Sequence, residues 1–122
     1  MYTVGIDMAE VSRIEKSVKN QRFVERVFSE KEQALFLSKK HPYESMAGNW
    51  AAKEAFAKAL GTGVRGFSLN EISVLRNELG APYLELSGSA KQIAEEKGLE
   101  FSVSITHTAE FAQAVCIAYK KE

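Results

Sequence analysis

Glu54 and Lys58 are the first pair of side chains in this sequence that can do chemistry together, because they lie four positions apart in a segment of strong helix formers. On a helix, side chains at that spacing share one face. The ordinary interpretation is an exposed ion pair, which is common and weak. The functional interpretation requires a second carboxylate beside Glu54, and the spacing alone does not decide between the two.

Asp7 is the best candidate for that second carboxylate. Residues 2–9 alternate in the manner of a half-buried strand, and Asp7 lies on the face of small residues with Gly5 and Ala9. Two carboxylates, with water and phosphate oxygens, suit Mg²⁺, which prefers oxygen ligands and seldom has a cage made only of protein groups. A magnesium site follows if strand and helix meet. A lone Asp in a strand is as often a structural residue.

A glycine-rich loop follows the helical segment and could bind phosphate. Successive backbone N–H groups of Gly61, Thr62 and Gly63 could cradle an anion. The loop follows a helix rather than preceding one, so the helix dipole does not assist. The ordinary interpretation is a glycine C-cap with a flexible turn.

His107 ends a predicted strand and is in phase with the apolar residues Phe101, Val103 and Ile105. A histidine in such a pattern is more often a core residue than a catalyst. Its place at the strand end, beside Thr108, also allows a ligand to reach it.

Basic residues are concentrated between positions 13 and 26, although the whole chain is neutral. The ordinary interpretation is a solvated helix face. The functional interpretation is a docking surface for an acidic partner, because complementary charge steers association and fixes register. The basic residues are Arg13, Lys16, Lys19, Arg22 and Arg26.

The remaining patterns predict an α+β fold with an antiparallel sheet packed against a long central helix. The strongest helix is Tyr43–Leu60, ended by Gly61. Ser29 and Glu32 form a predicted capping box at the start of another helix. Further helices are predicted over residues 11–20 and in a short segment that ends at Lys97. Further strands are predicted over residues 69–75, 82–86, 101–107 and 111–119.

Length and composition fit one domain over residues 1–122. Acidic and basic residues balance at 16 each, so no global field indicates nucleic acid or an anionic membrane as a partner. The single cysteine, Cys116, excludes an intrachain disulfide and a cysteine-based metal cluster. No signal peptide or membrane-spanning run is expected, and a cytoplasmic location fits.

Four blocks of sequence, in order, resemble the holo-acyl-carrier-protein synthases, the small bacterial phosphopantetheinyl transferases. The central block is the most specific of the four, and the resemblance extends from Gly5 to about Ala118. The blocks read Gly-Ile-Asp-Met-Ala-Glu-Val-Ser-Arg-Ile from Gly5, Phe-Ser-Glu-Lys-Glu from Phe28, Trp-Ala-Ala-Lys-Glu-Ala-Phe-Ala-Lys-Ala-Leu-Gly-Thr-Gly from Trp50, and Val-Ser-Ile-Thr-His-Thr from Val103.

The resemblance implies a phosphopantetheinyl transferase fold, Mg²⁺ as cofactor and coenzyme A as substrate. Asp7 and Glu54 match the metal ligands, Lys58 the lysine near the phosphates and His107 the histidine at the coenzyme site. Gly61, Thr62, Gly63 and Thr108 are expected at that site as well. Arg13, Arg22 and Arg26 are expected to dock an acidic acyl carrier protein. A homotrimer with sites between subunits is also implied.

The implied reaction moves the 4′-phosphopantetheine arm onto a carrier serine and releases adenosine 3′,5′-bisphosphate, which activates the carrier for fatty acid biosynthesis. Asp7, Glu54 and Lys58 are the expected catalytic residues, and Glu54 or a water on the metal would take the serine proton. Asn49 departs from the family, which usually has Arg there, so weaker coenzyme binding or a compensating cation such as Arg65 is expected. The alternatives are a binding module without catalysis and a metal-dependent phosphohydrolase.

Overall fold

The structure, a computed structural model, describes residues 1–122 and confirms the α+β prediction. The strands are β1 (Tyr2–Glu10), β2 (Ile72–Arg76), β3 (Pro82–Leu86), β4 (Leu99–His107) and β5 (Phe111–Lys120). The helices are α1 (Val11–Ser17), α2 (Gln21–Val27), α3 (Glu30–Leu37), α4 (Tyr43–Leu60) and α5 (Gly88–Lys97), with a 3₁₀ turn at Leu69–Glu71.

Helix α4 is the centre of the molecule and has the bounds that the sequence predicted. Eleven of its 18 residues are buried, and six of those are alanines whose short side chains let neighbouring backbones come close. Gly61 ends the helix with a positive φ of 88°, and its N–H donates to the carbonyls of Ala57 and Lys58. The helix therefore stops at the loop that the sequence marked as a candidate phosphate site.

An antiparallel sheet, in the order β1-β5-β4, covers one side of α4. Gly5 of β1 makes the closest approach: a Cβ there would overlap the Ala55 carbonyl oxygen and come within 2.7 Å of the Ala59 nitrogen. The small-residue face of β1 is therefore the face that packs on the helix, and it carries Asp7 toward α4. The buried face of β5 is equally small and consists of Ala112, Ala114, Cys116 and Ala118.

The other face of β1 is apolar and open to solvent. Val4 is 63% exposed and Ile6 is 53% exposed, and β5 extends the same surface with Ile117 opposite Val4. A row of large apolar side chains on one sheet face is unusual for an isolated soluble chain. The other exposed members of the row are Tyr2, Met8 and Phe111.

A buried polar network joins α3, α4 and β2 on the opposite side of the core. The Lys53 ammonium donates to Glu32 Oε1 at 2.6 Å, to the Leu69 carbonyl at 2.9 Å and to the Ile72 carbonyl. Both charged side chains are fully buried. Burial lowers the pKa of Lys53, and the charge and hydrogen bond of Glu32 oppose that shift. The pair is therefore stabilised by hydrogen bonds rather than by water.

Glu32 also confirms the predicted capping box. Its Oε1 accepts from the Ser29 N–H at 3.0 Å, while Ser29 Oγ accepts from the Glu32 N–H at 3.2 Å. One carboxylate thus closes the start of α3 and holds Lys53.

Two predicted elements differ most from the structure. The predicted strand over residues 69–75 begins with the 3₁₀ turn and becomes a strand only at Ile72. The predicted helix over residues 11–20 ends at Ser17, and helix α2, which the patterns did not indicate, begins at Gln21 with Asn20 as its cap.

None of the helices combines the length and apolarity needed to cross a membrane.

Candidate active site

Lys58 and Asp7 form the first contact of the candidate site. The Lys58 ammonium donates to Asp7 Oδ1 at 3.2 Å and to the Ile6 carbonyl at 2.9 Å. The lysine therefore crosses from α4 to β1 instead of pairing along the helix with Glu54. Asp7 is the more sheltered partner, since its side chain is 20% exposed and that of Lys58 is 55% exposed.

Asp7 and Glu54 come together as the functional interpretation requires. Burial raises the pKa of Glu54, the negative charge of Asp7 raises it further, and Lys58 opposes both effects. The two carboxylates line one open cleft of about 380 Å³. Two acidic side chains that repel each other at a cleft are favourable for a cation.

The donor set of this cleft fits Mg²⁺. Two carboxylates supply oxygen ligands, and Mg²⁺ commonly takes only one or two from protein and completes its octahedron with water and substrate phosphate. No group of three or more His, Cys, Asp and Glu side chains in the chain is arranged to hold a metal ion. Glu10 lines the same cleft, but of the other carboxylates there only Asp7 acts on the pKa of Glu54, so Asp7 and Glu54 are the pair that could hold the ion.

The expected coenzyme-binding residues are divided between the two ends of α4. Lys58 and the loop from Gly61 lie at its C-terminal end, whereas His107 contacts Glu44 in its first turn, with 3.0 Å between Nδ1 and Oε2. Glu44 and Glu54 are ten residues apart, which is about 15 Å along a helix. His107 therefore lies toward the N-terminal end of α4 and is not among the residues that line the Asp7 and Glu54 cleft.

The hydroxyl groups of Thr62 and Thr108, two residues expected at the coenzyme site, already make hydrogen bonds within the chain. The Thr108 hydroxyl oxygen accepts from the N–H groups of Glu110 and Phe111 and so caps the β4–β5 turn. The Thr62 hydroxyl donates to the Gly63 carbonyl at 3.0 Å. Both residues are exposed, so a ligand can still reach them.

All three arginines of the predicted docking surface are exposed. Arg13 of α1 lines the cleft itself, and Arg22 and Arg26 are one turn apart on α2. Phe23 of α2 and Trp50 of α4 form an aromatic wall of the cleft, with ring centroids 5.7 Å apart. Sequence reasoning did not single out this wall.

Comparisons with known proteins identify the family of this chain. Residues 3–116 match the family model described as the 4′-phosphopantetheinyl transferase superfamily. A holo-[acyl-carrier-protein] synthase from Caldanaerobacter subterraneus subsp. tengcongensis is 48% identical over 117 residues, which cover 94% of this chain and 92% of that protein. The chain belongs to the 4′-phosphopantetheinyl transferase superfamily.

Solved structures place the chain within the holo-[acyl-carrier-protein] synthases of that superfamily. The crystal structure of the synthase from Neisseria meningitidis has a TM-score of 0.89 and 32% identity, and the match covers 97% of this chain and 98% of that one. The synthase from Helicobacter pylori, solved in complex with coenzyme A, has a TM-score of 0.83 and 36% identity over 95% and 99% of the two chains. The α+β architecture is therefore that of this transferase family.

Asn49, the departure from the transferase family pattern, lies away from solvent. Its side chain is fully buried, and its Nδ2 donates to Glu32 Oε2 at 2.9 Å and to the Val74 carbonyl at 3.0 Å. Its Oδ1 accepts from Arg76 Nη2 at 2.8 Å. Asn49 therefore belongs to the buried network, and the expected weakening of coenzyme binding stays a prediction. Arg76, rather than the exposed Arg65, is the cation beside it.

Proposed function

We propose that this chain transfers the 4′-phosphopantetheine group from coenzyme A to a serine of an apo acyl carrier protein. The observation that carries the proposal is the meeting of Asp7 and Glu54 in one cleft, with Lys58 bound to Asp7. The family match and the naming of its relatives as holo-[acyl-carrier-protein] synthases support the same reaction. We propose one transferase domain over residues 1–122.

In this proposal the serine hydroxyl attacks the β-phosphate of coenzyme A. A new bond forms between the serine oxygen and the β-phosphorus, the bond to the bridging oxygen breaks, and adenosine 3′,5′-bisphosphate leaves. Glu54 is the proposed acceptor of the serine proton, because its carboxylate lines the cleft beside Asp7. Lys58 neutralises charge on the leaving phosphate, which its exposed ammonium can reach.

Asp7 and Glu54 would hold Mg²⁺, which supplies charge neutralisation on the pyrophosphate. Side chains of the protein itself shelter the cleft and attract the carrier. The aromatic wall of Phe23 and Trp50 shelters one side of the cleft, and Arg13, Arg22 and Arg26 attract an acidic carrier. Activation of the carrier for fatty acid biosynthesis, in the cytoplasm, is the cellular role that we propose.

We further propose a homotrimer in which neighbouring subunits share each site. Two observations support shared sites. His107 and the loop from Gly61 lie at opposite ends of α4, and the apolar face around Val4 and Ile6 is open. A second copy packed on that face would bury it and could bring the His107 end of one chain to the Asp7 end of the next.

Intact mass spectrometry of an apo carrier protein tests the transfer. Incubation with this protein, coenzyme A and Mg²⁺ is expected to add about 340 Da to the carrier, and a chelator is expected to abolish the gain. Asp7→Asn and Glu54→Gln should abolish it too, whereas the exposed control Glu15→Gln should not. No gain with folded protein and several carriers would refute the transfer. Release of free phosphopantetheine without a carrier would favour a hydrolase.

A further inference from the structure

Thr3 of β1 makes a contact with α4 that the proposed reaction does not use. Its side-chain hydroxyl donates to the Ala59 carbonyl, with 2.6 Å between the two oxygens, at a partly buried position. Ala59 lies in the last turn of α4, where the carbonyl groups have no partner within the helix. The hydroxyl therefore satisfies one of the open carbonyls at the end of the helix, two residues before Gly61.

A second polar contact joins the same two elements in the opposite direction. The Lys58 ammonium of α4 donates to the Ile6 carbonyl of β1 at 2.9 Å. Gly5 lies between Thr3 and Ile6 and packs directly on the helix backbone, because a Cβ there would overlap the Ala55 carbonyl oxygen. Close packing at Gly5 sets the distance between strand and helix. The two hydrogen bonds set where along the helix the strand lies.

The small-residue face of β1 has no large side chain that could set this position. At the other edge of the sheet, Phe101 packs on Phe56 with ring centroids 4.6 Å apart, and a Cβ on Gly48 would come within 2.9 Å of the Ile105 side chain. Such contacts interlock β4 with the helix and resist sliding. The corresponding residues of β1 are short: Thr3, Gly5, Asp7 and Ala9. Polar contacts are therefore needed to fix β1 on α4.

We propose that Thr3 is a positioning residue for the Asp7 and Glu54 cleft. Through its hydrogen bond to Ala59 it fixes β1 lengthwise on α4, so that the Asp7 carboxylate stays beside Glu54. Thr3 and Asp7 lie on the same face of one strand, about 13 Å apart, and the strand is paired with β5 between them. A shift at Thr3 is therefore passed on to Asp7. The inference rests on the proposed function, which gives the cleft the role of holding a divalent cation.

Metal affinity tests the inference without the reaction. Thr3→Val keeps the shape of the side chain and removes the hydroxyl. In a titration of coenzyme-free protein followed by electron paramagnetic resonance, this variant is expected to bind Mn²⁺ about two- to tenfold more weakly, the effect of losing one neutral hydrogen bond. Thr3→Ser keeps the hydroxyl and should restore most of the affinity. Wild-type affinity in Thr3→Val would overturn the inference.

Ser12→Ala is the matched control for this titration. It removes a hydroxyl at an exposed position of α1 and should leave the Mn²⁺ affinity unchanged. A purely structural role of Thr3 predicts that Thr3→Val lowers the melting temperature and leaves the Mn²⁺ affinity of the folded protein at the wild-type value. Thermal melts recorded beside the titration therefore distinguish lost stability from lost positioning.

A double variant tests whether Thr3 acts through Asp7. Asp7→Asn should weaken Mn²⁺ binding, and the further change Thr3→Val should weaken it little more, because the charged ligand that Thr3 positions is already absent. Effects of the two changes that multiply in full would overturn the inference.

Steady-state kinetics add a readout on the reaction itself. Thr3→Val should raise the KM for Mg²⁺ and leave the KM for the carrier protein unchanged, because the proposed docking arginines lie on α1 and α2. An equal rise in both KM values would contradict a role confined to the metal cleft.

The Asp7→Asn variant separates this inference from the proposed function. If Asp7→Asn binds Mn²⁺ as tightly as the wild type, the proposed metal site fails and this inference fails with it. If Asp7→Asn weakens binding and Thr3→Val does not, only the role of Thr3 fails.

Discussion

The Lys58 ammonium stands beside the carboxylate that would hold a metal ion. Lys58→Met removes a positive charge 3.2 Å from Asp7 Oδ1, so Mn²⁺ should bind the coenzyme-free protein more tightly. An exposed ion pair contributes up to about 1 kcal/mol, which corresponds to a gain of roughly two- to fivefold. Titration followed by electron paramagnetic resonance measures the affinity. The control Lys91→Met should not match the gain, and weaker binding in Lys58→Met would contradict the assignment.

The pKa of Glu54 should respond in opposite directions to its two charged neighbours. Asp7→Asn should lower it, because the charge of Asp7 raises it, and Lys58→Met should raise it, because Lys58 lowers it. A ¹³C titration of the side-chain carboxyl in metal-free protein measures both shifts. Equal pKa values in the wild type and both variants would show that the three groups do not interact.

The same raised pKa fixes how Glu54 affects stability with pH. The folded state holds the proton more tightly than the unfolded chain, whose ordinary value is 4.5. The contribution of Glu54 to the free energy of unfolding is therefore most favourable below that value and is lost as the pH rises through the raised folded pKa. Asp7→Asn should reduce this loss of unfolding free energy, because the charge of Asp7 is one cause of the raised pKa of Glu54.

At the residue scale, the sequence predicted which residues belong to the candidate site better than it predicted the contacts between them. The four-residue spacing of Glu54 and Lys58 suggested an ion pair along α4, yet the lysine reaches across to Asp7 and the Ile6 carbonyl. That choice depends on the closeness of β1 at Gly5, a tertiary distance that no local pattern contains. Trp50 and Phe23 are likewise distant in sequence and meet only in the folded chain.

At the element scale, α4 is secured by Lys53 on the side away from the sheet. Lys53→Met should lower the free energy of unfolding by about 3 kcal/mol, because it leaves the buried Glu32 carboxylate without its cation. Urea denaturation at neutral pH measures the loss. Lys39→Met, at an exposed position after α3, should change stability by less than about 0.5 kcal/mol. A similar small change in both variants would mean that the buried pair does not stabilise the fold.

Long, regular elements were predictable and short ones were not. The sequence Tyr43–Leu60 combines strong helix formers with a glycine stop, so both ends of α4 were correct. The 3₁₀ turn Leu69–Glu71 depends on Lys53 binding the Leu69 carbonyl and on the Glu71 side chain accepting from the Ser68 N–H at 2.8 Å. The first of these contacts comes from another element, so no local pattern indicated that the strand begins only at Ile72.

At the scale of the whole molecule, the open face of β1 and β5 is the feature that a single chain leaves unexplained. Val4→Glu places a charge in the middle of that face and should convert a trimer to monomers, since buried like charges around a symmetry axis repel. Light scattering after size-exclusion chromatography measures the mass. Leu79→Glu, in the exposed β2–β3 turn, is the matched control and should remain trimeric. A monomeric wild type would refute the assembly.

The division of the site between the two ends of α4 has a genetic consequence. A chain with Asp7→Asn keeps an intact His107 end, and a chain with His107→Ala keeps an intact Asp7 end. If the proposed homotrimer forms, the two impaired alleles should complement each other when coexpressed, because about one quarter of the sites in randomly mixed trimers would receive both intact halves. A cell that carries either allele alone should charge its carrier protein less than a cell that carries both.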